Sequence, residues 1–472
     1  MMNHSTRRAA VIAAALLISA AFLCPLTARA DVTVPNVFGS NMVMQRDIAL
    51  PVWGQADAGE KVTVKLAACT KTATADKDGA WKVTLPAMKC SAKPITMTIS
   101  GKNKIELENI LIGEVWVCSG QSNMQWSIQR SANAKKEIAE SDYPLIRIIS
   151  VKRAVNAEPQ KNFNGAWQVC SPKTSSGFSA VGYFFGRKLH KDLKMPIGLI
   201  NTSWGGTRIE PWTPTVGFDA VLALKKIADD TRKLTGKVGS RTPRAIYNSM
   251  IAPLKPVAIR GAIWYQGESN MGEGMLYFEK MKALIGGWRK VWDQGDFPFG
   301  FVQLAPFDRY GGDKQPKIWE AQTAALSIPN TGMCVTTDIT TLKNIHPPNK
   351  QDVGLRLALW ALATSYDKKD LVYSGPMYKS MKVSGKTIVL TFDHVGGGLA
   401  SRDDRDLDWF EIAGDDKAFV KASAKIVGTT VVVSCDTVAK PAAVRFGWSQ
   451  KATPNLMNKE GLPASPFRTD KW

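Results

Sequence analysis

The strongest constraint on the fold comes from residues 113–124, which read GEVWVCSGQSNM. An apolar, β-rich segment, 115–118, leads directly into a small polar turn that leaves Ser122 at its tip. Open α/β sheets place their chemistry at the carboxyl ends of their strands. This run therefore predicts an α/β domain with Ser122 as a candidate nucleophile.

The residues around Ser122 differ from the commonest nucleophile turn of serine hydrolases. The G-x-S-x-G turn of α/β-hydrolases has a glycine two positions after the nucleophile, and here that position is Met124. If Ser122 is a nucleophile, it therefore belongs to another serine-hydrolase architecture.

Residues 1–30 have the pattern of an export signal. A basic start at Arg7 and Arg8 precedes an apolar core, and Ala28-Arg-Ala30 is a small-x-small cleavage site. The apolar core is shorter than the roughly 20 residues that a membrane span requires. We expect an exported protein, periplasmic or extracellular, without a membrane span.

The formal net charge of +20 on 472 residues indicates which surroundings suit the protein. Such a charge favours anionic partners, for example acidic glycans. The basic residues are spread along the chain without a recognised DNA- or RNA-binding motif, so nucleic acid is not expected as a partner.

Changes in hydrophobic period divide the mature chain into three parts. Residues 31–107 contain short alternating strands and predict a β-sandwich module, with a hairpin at Asp78-Gly79. Residues 108–369 alternate apolar strands with amphipathic helices, which predicts a parallel sheet covered on both faces. Residues 370–472 return to strand alternation and predict a second β-module. The predicted elements of the middle part are strands 146–151, 197–204, 262–266, 299–305 and 333–336, and helices 182–193, 218–234, 276–291 and 350–365.

Six cysteines follow the signal, and no C-x-x-C pair is present. Cys69 and Cys90 are the two in the first module, which makes them the natural candidates for a disulfide in an oxidising compartment. No cluster with metal-ligand spacing occurs, so we expect neither a metal nor another cofactor.

Histidine is scarce, and this scarcity restricts the choice of a catalytic base. The mature chain has His190, on the charged side of a predicted helix, His394, in a predicted turn, and His346. His346 follows the predicted strand 333–336 and lies at the same sheet edge as Ser122. A serine hydroxyl needs a base at neutral pH, and by elimination His346 is that base.

Two more predicted strands end at this edge in polar turns. Gly205-Gly206 can bring a bare backbone N–H close to a substrate oxygen. The turn 264–270 supplies the Gln266 amide and the Glu268 carboxylate. Preorganised donors of this kind stabilise the oxyanion of a tetrahedral intermediate.

The chain resembles the sialate O-acetylesterase family of SGNH-type serine esterases. The resemblance extends over nearly the whole mature chain and rests on residues 37–46, 51–54, 113–124, 204–212, 264–270, 345–347 and 461–464. It implies a three-layer α/β/α, flavodoxin-like catalytic domain with N-terminal and C-terminal β-sandwich modules. It also implies Ser122 as nucleophile, His346 as base, and an oxyanion hole from the Ser122 amide, Gly206 and Gln266.

The acid that supports His346 departs from the family pattern. SGNH esterases usually have an aspartate three residues before the histidine, and relatives often have one two residues before; here these positions are Lys343 and Asn344. Glu268 is the favoured replacement, and Asp338 is the alternative third member of the triad or an anchor of the loop.

Aromatic and basic residues near these turns are candidates for substrate binding. Trp126 and Trp204 could stack on a sugar ring, and each could equally belong to the core. Arg208 could meet a sugar carboxylate or form a salt bridge with Glu210.

The function predicted from these residues is metal-independent hydrolysis of O-acetyl groups on a sugar or glycan. An acetyl-xylan or other polysaccharide esterase is the alternative with the same chemistry. A glycan-binding protein with weakened catalysis is the alternative of another class, suggested by Asn344.

Overall fold

The computed structural model describes residues 31–472, and the predicted export signal lies outside them. Within the described part, no helix is both long enough and apolar enough to cross a membrane. The chain forms a mixed α/β structure flanked by β-rich segments on either side in the sequence.

The strands, in chain order, are β1 (Val43–Gln45), β2 (Leu50–Gln55), β3 (Lys61–Leu66), β4 (Cys69–Thr74), β5 (Ala80–Leu85), β6 (Ser91–Ser100), β7 (Lys104–Gly120), β8 (Tyr143–Ser150), β9 (Gln168–Cys170), β10 (Ile197–Asn201), β11 (Gly261–Tyr265), β12 (Phe299–Val302), β13 (Thr331–Cys334), β14 (Met377–Ser384), β15 (Thr387–Asp393), β16 (Leu399–Ser401), β17 (Phe410–Gly414), β18 (Val420–Lys421), β19 (Ser423–Val427), β20 (Thr430–Ser434), β21 (Pro441–Phe446), β22 (Leu456–Asn458) and β23 (Phe467–Arg468). The α-helices are α1 (Ser122–Gln125), α2 (Ala134–Ala139), α3 (Ala180–Leu193), α4 (Thr215–Asp219), α5 (Lys225–Arg232), α6 (Leu276–Trp292), α7 (Lys314–Ala324) and α8 (Gln351–Ser365).

Strand β7 joins the N-terminal module to the α/β domain. Its first half pairs with β6 and β1, and its second half pairs with β10 and β11. Every residue from position 110 to 120 is buried, as expected for a strand covered on both faces. The predicted boundary between residues 107 and 108 therefore falls inside one continuous strand, and the two parts share a single hydrophobic core.

The central sheet has the strand order β13-β12-β11-β7-β10-β8-β9. All neighbours are parallel except β8 and β9. Numbered in chain order among themselves, the five parallel strands β10-β7-β11-β12-β13 run 2-1-3-4-5, which is the order of flavodoxin-like sheets. The parallel strand β8, which precedes β10 in the chain, is added on the outer side of β10. Because β10 is buried at all five positions while β8 has exposed ends, β10 occupies the interior position beside β7.

Helices pack on both faces of this sheet. Phe185 of α3 and Trp360 of α8 contact Trp116 of β7. On α6, Trp288 contacts Trp264 of β11 with ring centroids 6.2 Å apart. Trp264 is the register partner of Ser119, and side chains alternate along a strand, so α6 covers the face opposite to Trp116.

Two helix predictions differ from the structure. The predicted helix 218–234 is split into α4 and α5, because Val221 is extended and is buried with Leu224 in a small separate core. Helix α7 was not predicted, since its apolar residues do not follow a clear helical period; Pro316 lies in its first turn, where proline is tolerated.

The Asp78-Gly79 turn does not close a hairpin. Strand β4, before the turn, pairs with β3, whereas β5, after the turn, pairs with β2. The turn itself is held by Asp76 Oδ1, which accepts the backbone N–H groups of Asp78 and Ala80 at 2.9 Å each. The chain therefore passes from one sheet to another at this point.

The predicted Cys69–Cys90 disulfide is also wrong, because all six cysteines of residues 31–472 are free. Cys69 of β4 is the cross-strand partner of Leu66 of β3, and Leu66 faces Met97 of β6 on its other side. Cys90 precedes Met97 by seven residues, an extended length of roughly 20 Å. A disulfide requires α-carbons within about 7 Å of each other.

The C-terminal segment forms two four-stranded antiparallel sheets, β14-β15-β20-β19 and β18-β17-β21-β23. Their buried side chains make a separate core that includes Ile388, Val431, Ile412 and Phe446. The domain limits predicted from the sequence remain predictions.

Candidate active site

Ser122 lies immediately after the carboxyl end of β7. Gly120 has φ +136°, and a Cβ at that position would lie 2.2 Å from the Tyr265 carbonyl oxygen, so only glycine fits. The next residue, Gln121, donates its backbone N–H to the same carbonyl at 2.9 Å. Ser122 then begins helix α1, where backbone N–H groups have no acceptor within the helix.

Ser122 and His346 line one cavity of about 760 Å³. The imidazole of His346 stacks on Trp126 with ring centroids 4.9 Å apart and planes 18° apart. Its Nε2 is buried and has no hydrogen-bond partner within residues 31–472. Burial lowers the pKa of His346, and the positive charges of Lys350 and Arg130 lower it further.

The loop that carries His346 is held from two sides. Asn344 Oδ1 accepts the backbone N–H of His346 at 2.9 Å. Asn123, the residue after Ser122, donates from Nδ2 to the Ile345 carbonyl oxygen at 3.0 Å. The segment of the candidate nucleophile is thus bonded directly to the segment of the candidate base.

Asn123 is also the centre of a buried charge cluster. Its Nδ2 donates to Glu268 Oε1 at 2.5 Å, and its Oδ1 accepts from Lys350 Nζ at 2.6 Å. The second oxygen of Glu268, Oε2, is buried and has no partner in the described part of the chain. Burial raises the pKa of Glu268 and lowers that of Lys350 to about 7. We call Glu268, Asn123 and Lys350 the open cluster.

Neither predicted acid contacts the imidazole of His346. Glu268 reaches the His346 loop only through Asn123. Asp338 forms a bidentate ion pair with Arg356 at 2.8 and 2.6 Å. This ion pair joins the Asp338 loop to helix α8. Within residues 31–472 no carboxylate is hydrogen-bonded to the imidazole of His346.

The predicted oxyanion donors differ in their surroundings. A Cβ on Gly205 would lie 3.2 Å from the Ser122 Cβ, so this turn passes close to the candidate nucleophile. The Gly205 N–H is already bonded to Gln125 Oε1 at 2.8 Å. Gly206 has φ +75° and open space around it.

Gln266 does not line the cavity. It is fully buried, and its Nε2 donates to Gln121 Oε1, the Thr207 carbonyl and Asn270 Oδ1 at 2.8–3.2 Å. Its amide protons are therefore engaged inside the protein. This placement could not be predicted, because the sequence does not reveal that two other strand-end turns contact Gln266.

The three candidate substrate-binding residues also occupy different positions. Trp126 lines the cavity. Trp204 does not, although Arg153, which does, stacks over its ring at 5.8 Å. Arg208 donates to Glu210 at 3.0 Å and also pairs with Glu273. The salt-bridge alternative for Arg208 is the one that the structure contains.

Three cationic residues of the cavity were not predicted from the sequence: Arg130, Lys152 and Arg153. No carboxylate lies among the described residues that line it. Lys152 and Arg153 follow β8 at the same sheet edge as Ser122, so the strand-end argument applies to them as well. Arg130 is separated from the strand by α1, and no sequence signal points to it.

No group of three or more His, Cys, Asp or Glu side chains in residues 31–472 is arranged to hold a metal ion. The cavity itself presents Ser122 and His346, with backbone N–H groups beside them.

Comparisons with known proteins show the family of this chain. The family model for carbohydrate esterases of the sialic acid-specific acetylesterase type matches residues 112–362. A sialate O-acetylesterase from Homo sapiens is 30% identical over 480 residues, covering 92% of this chain and 91% of its own length. One from Rattus norvegicus is 32% identical, covering 75% and 77%.

A solved structure extends the similarity to the fold. A carbohydrate acetylesterase from Xanthomonas citri is 35% identical, with a TM-score of 0.87, and the match covers 94% of this chain and all of that one. The family model and these relatives indicate a carboxylic-ester hydrolase. The chain belongs to the sialic acid-specific acetylesterase family of carbohydrate esterases, which confirms the resemblance seen in the sequence.

Proposed function

We propose that this protein is an exported sialate O-acetylesterase, which removes O-acetyl groups from an anionic sugar with Ser122 as nucleophile and His346 as base. In this proposal the catalytic domain is a three-layer α/β/α SGNH-type domain, and the flanking segments are β-sandwich modules. The similarity to sialate O-acetylesterases over most of the chain supports it.

One observation supports the proposal most strongly. Ser122 and His346 line a cavity that also contains Arg130, Lys152 and Arg153 but no described carboxylate. A cavity lined by charges of one sign concentrates ligands of the opposite sign. An O-acetylated sugar that carries a carboxylate suits these surroundings.

The proposed reaction has two steps. Ser122 Oγ attacks the acetyl carbonyl carbon while His346 Nε2 accepts the hydroxyl proton. His346 returns that proton to the sugar oxygen as the C–O bond breaks, leaving an acetyl group on Ser122. A water molecule, deprotonated by His346, then releases acetate and restores the serine.

Local electrostatics favour this chemistry. Because its pKa is lowered, His346 is neutral at neutral pH, as a general base requires. The backbone N–H groups of Ser122 and Gly206 are the proposed oxyanion donors, whereas Gln266 supports the turn from behind.

The proposed role of Glu268 is positioning. Its carboxylate holds Asn123, and Asn123 holds the carbonyl of the residue before His346. Since Lys350 bonds to the same Asn123, the three side chains fix the distance between the Ser122 turn and the His346 loop.

An esterase for acetylated xylan is the alternative with the same chemistry, but a neutral polymer leaves the three cavity cations without partners. A glycan-binding protein without catalysis is the other alternative. The test is the hydrolysis of p-nitrophenyl acetate, O-acetylated sialic acid and acetylated xylan by the wild type and by Ser122→Ala.

We expect the wild type to prefer O-acetylated sialic acid, and Ser122→Ala to lose about a thousandfold or more of the turnover of all three substrates. The thermal melt should be nearly unchanged, because a small turn residue contributes little packing. Preference for xylan would support the first alternative, and absence of turnover in the wild type would support the second.

A further inference from the structure

A second cavity of about 720 Å³ lies between the N-terminal module and the α/β domain. One wall is the β2–β5 pair, where Trp53 and Lys82 are cross-strand neighbours. The opposite wall consists of the loops 160–162 and 252–256, which include Lys161 and Lys255. We call this cavity the junction cleft; it shares no lining residue with the catalytic cavity.

The charge of the junction cleft is mainly positive. Lys82, Lys161 and Lys255 line it, and within residues 31–472 none of them has a carboxylate oxygen within 4.0 Å of its Nζ. The cleft contains one carboxylate, Asp76, whose Oδ1 already accepts two backbone N–H groups. Burial lowers the pKa of Lys255, and a bound anion would counteract that effect.

Indole rings form the apolar part of the junction cleft. Trp53 is half-buried, and its ring meets Phe38 edge-on at 4.7 Å. Trp81 lies behind Gly54 and is 3% exposed; its Nε1 is a buried donor without a partner in the described chain. A flat apolar ring beside polar groups matches the two sides of a sugar unit, one of C–H groups and one of hydroxyls.

The junction cleft has room for more than one sugar unit. A neighbouring cavity of about 620 Å³ shares Lys82 and Pro256 with it. The space therefore continues along the outer face of β2 and β5, past Pro51 and Thr84. Such a shape suits a chain rather than a single small molecule.

One loop connects the junction cleft to the catalytic cavity. Between β8 and β9, Lys152 and Arg153 line the catalytic cavity, while Gln160 and Lys161 line the junction cleft. Arg153 and Gln160 are seven residues apart, so their α-carbons are at most about 25 Å apart. A glycan chain of several units is long enough to span this distance.

We propose that the junction cleft is a second carbohydrate-binding site, which holds an anionic sugar unit of a glycan chain. Trp53 provides the stacking surface, and Lys161 and Lys255 bind the sugar carboxylate. The choice of a glycan as ligand rests on the proposed function. Occupation of this site raises the local concentration of acetylated units at the catalytic cavity.

The binding experiment compares two double variants of the full chain. Lys161→Gln/Lys255→Gln removes two cleft charges, and Lys386→Gln/Lys425→Gln removes two exposed charges of the C-terminal segment. Each is titrated calorimetrically with a non-acetylated α2,8-linked sialic acid trimer and with xylotriose. We expect two trimer sites in the wild type and in the control. In the cleft variant one site should keep its affinity, and the Kd of the other should rise about tenfold or more.

A kinetic experiment follows the same variants on acetylated substrates. On O-acetylated polysialic acid the cleft variant should have a raised KM and an unchanged kcat, because only the tethering is lost. Its turnover of p-nitrophenyl acetate should equal that of the wild type. Trp53→Ala, checked by its thermal melt, should give the same KM effect if it folds.

Three outcomes would overturn the proposal. A single trimer site in the wild type excludes a second binding site. Equal losses of affinity in both double variants mean that overall charge, rather than the cleft, attracts the glycan. Xylotriose bound as tightly as the sialic acid trimer excludes the anionic preference. The titrations use non-acetylated ligands and need no turnover. Failure of the proposed esterase function would therefore appear in the turnover assays and not in the binding data.

Discussion

Two buried charge clusters lie at the same sheet edge and differ in how completely their charges are paired. The closed cluster consists of Arg208, Glu210, Glu273 and Lys280. Each of its four carboxylate oxygens has a donor, with Lys280 Nζ 2.7 Å from both glutamates. In the open cluster, Glu268 Oε2 has none within residues 31–472.

The two clusters differ in how burial and pairing together set the pKa values of their charged groups. Burial raises the pKa of Glu210, but Arg208 and Lys280 outweigh this effect and lower it to about 2. In the open cluster burial prevails, since the pKa of Glu268 is raised and that of Lys350 is lowered. An unpaired buried polar group costs about 1–3 kcal/mol of stability, and proteins retain such costs chiefly at functional sites.

Replacement of the candidate base tests whether the open cluster serves catalysis. His346→Ala should lower kcat by about a thousandfold or more, because Ser122 then lacks a proton acceptor. The measurement is p-nitrophenyl acetate turnover, with His190→Ala and His394→Ala as controls of near wild-type activity. A collapse of activity in either control would contradict the choice of His346.

A matched pair of glutamates compares the two clusters directly. Glu268→Gln retains an acceptor for Asn123 but loses the charge, and it should lower kcat by roughly ten- to a hundredfold. Its thermal melt should change little. A loss near ten-thousandfold, as for the aspartate of a serine protease, would instead indicate that Glu268 contacts His346 directly during the reaction.

Glu210→Gln is the other member of this pair. It leaves Arg208 and Lys280 partly unpaired, so the free energy of unfolding should fall by about 3 kcal/mol. The kcat of the folded enzyme should stay the same. Denaturant melts and active-site titration separate the two effects. If Glu210→Gln lowers kcat and Glu268→Gln lowers only stability, the distinction between the clusters is wrong.

Lys350→Met tests the electrostatic link from the open cluster to the base. Burial and, after it, the Lys350 charge lower the pKa of His346, so the acid limb of the kcat/KM profile should lie below the ordinary histidine value of about 6.5. Removal of this charge should shift the limb to higher pH. Lys343→Met, an exposed lysine three residues before His346, should leave the limb unmoved.

Much of this edge could be predicted because its signals are local. An apolar strand, a glycine-containing turn and a small polar residue are consecutive around Ser122, and β10 and β11 end in turns of the same kind. Side-by-side parallel strands then bring the turns together. The same rule explains why Ser122 and His346 line one cavity.

The partners of individual side chains could not be predicted in this way. Asn123 bonds to groups that are 145, 222 and 227 residues away in the chain. Which polar atoms meet at such separations depends on sub-ångström packing, so sequence patterns could not exclude a direct Glu268–His346 contact. Likewise, the strand register that separates Cys69 from Cys90 is visible only in three dimensions.

Asp338→Asn should have only a small effect on turnover. Asp338 is bonded to Arg356 and not to His346, so kcat should remain within about twofold of wild type. Asparagine retains one hydrogen bond and loses the charge, and the free energy of unfolding should fall by about 1–3 kcal/mol. The measurement is a denaturant melt together with kcat at saturating substrate. A hundredfold loss of kcat without loss of stability would make Asp338 the supporting acid after all, and Glu268, with its unpaired oxygen, would then need another explanation.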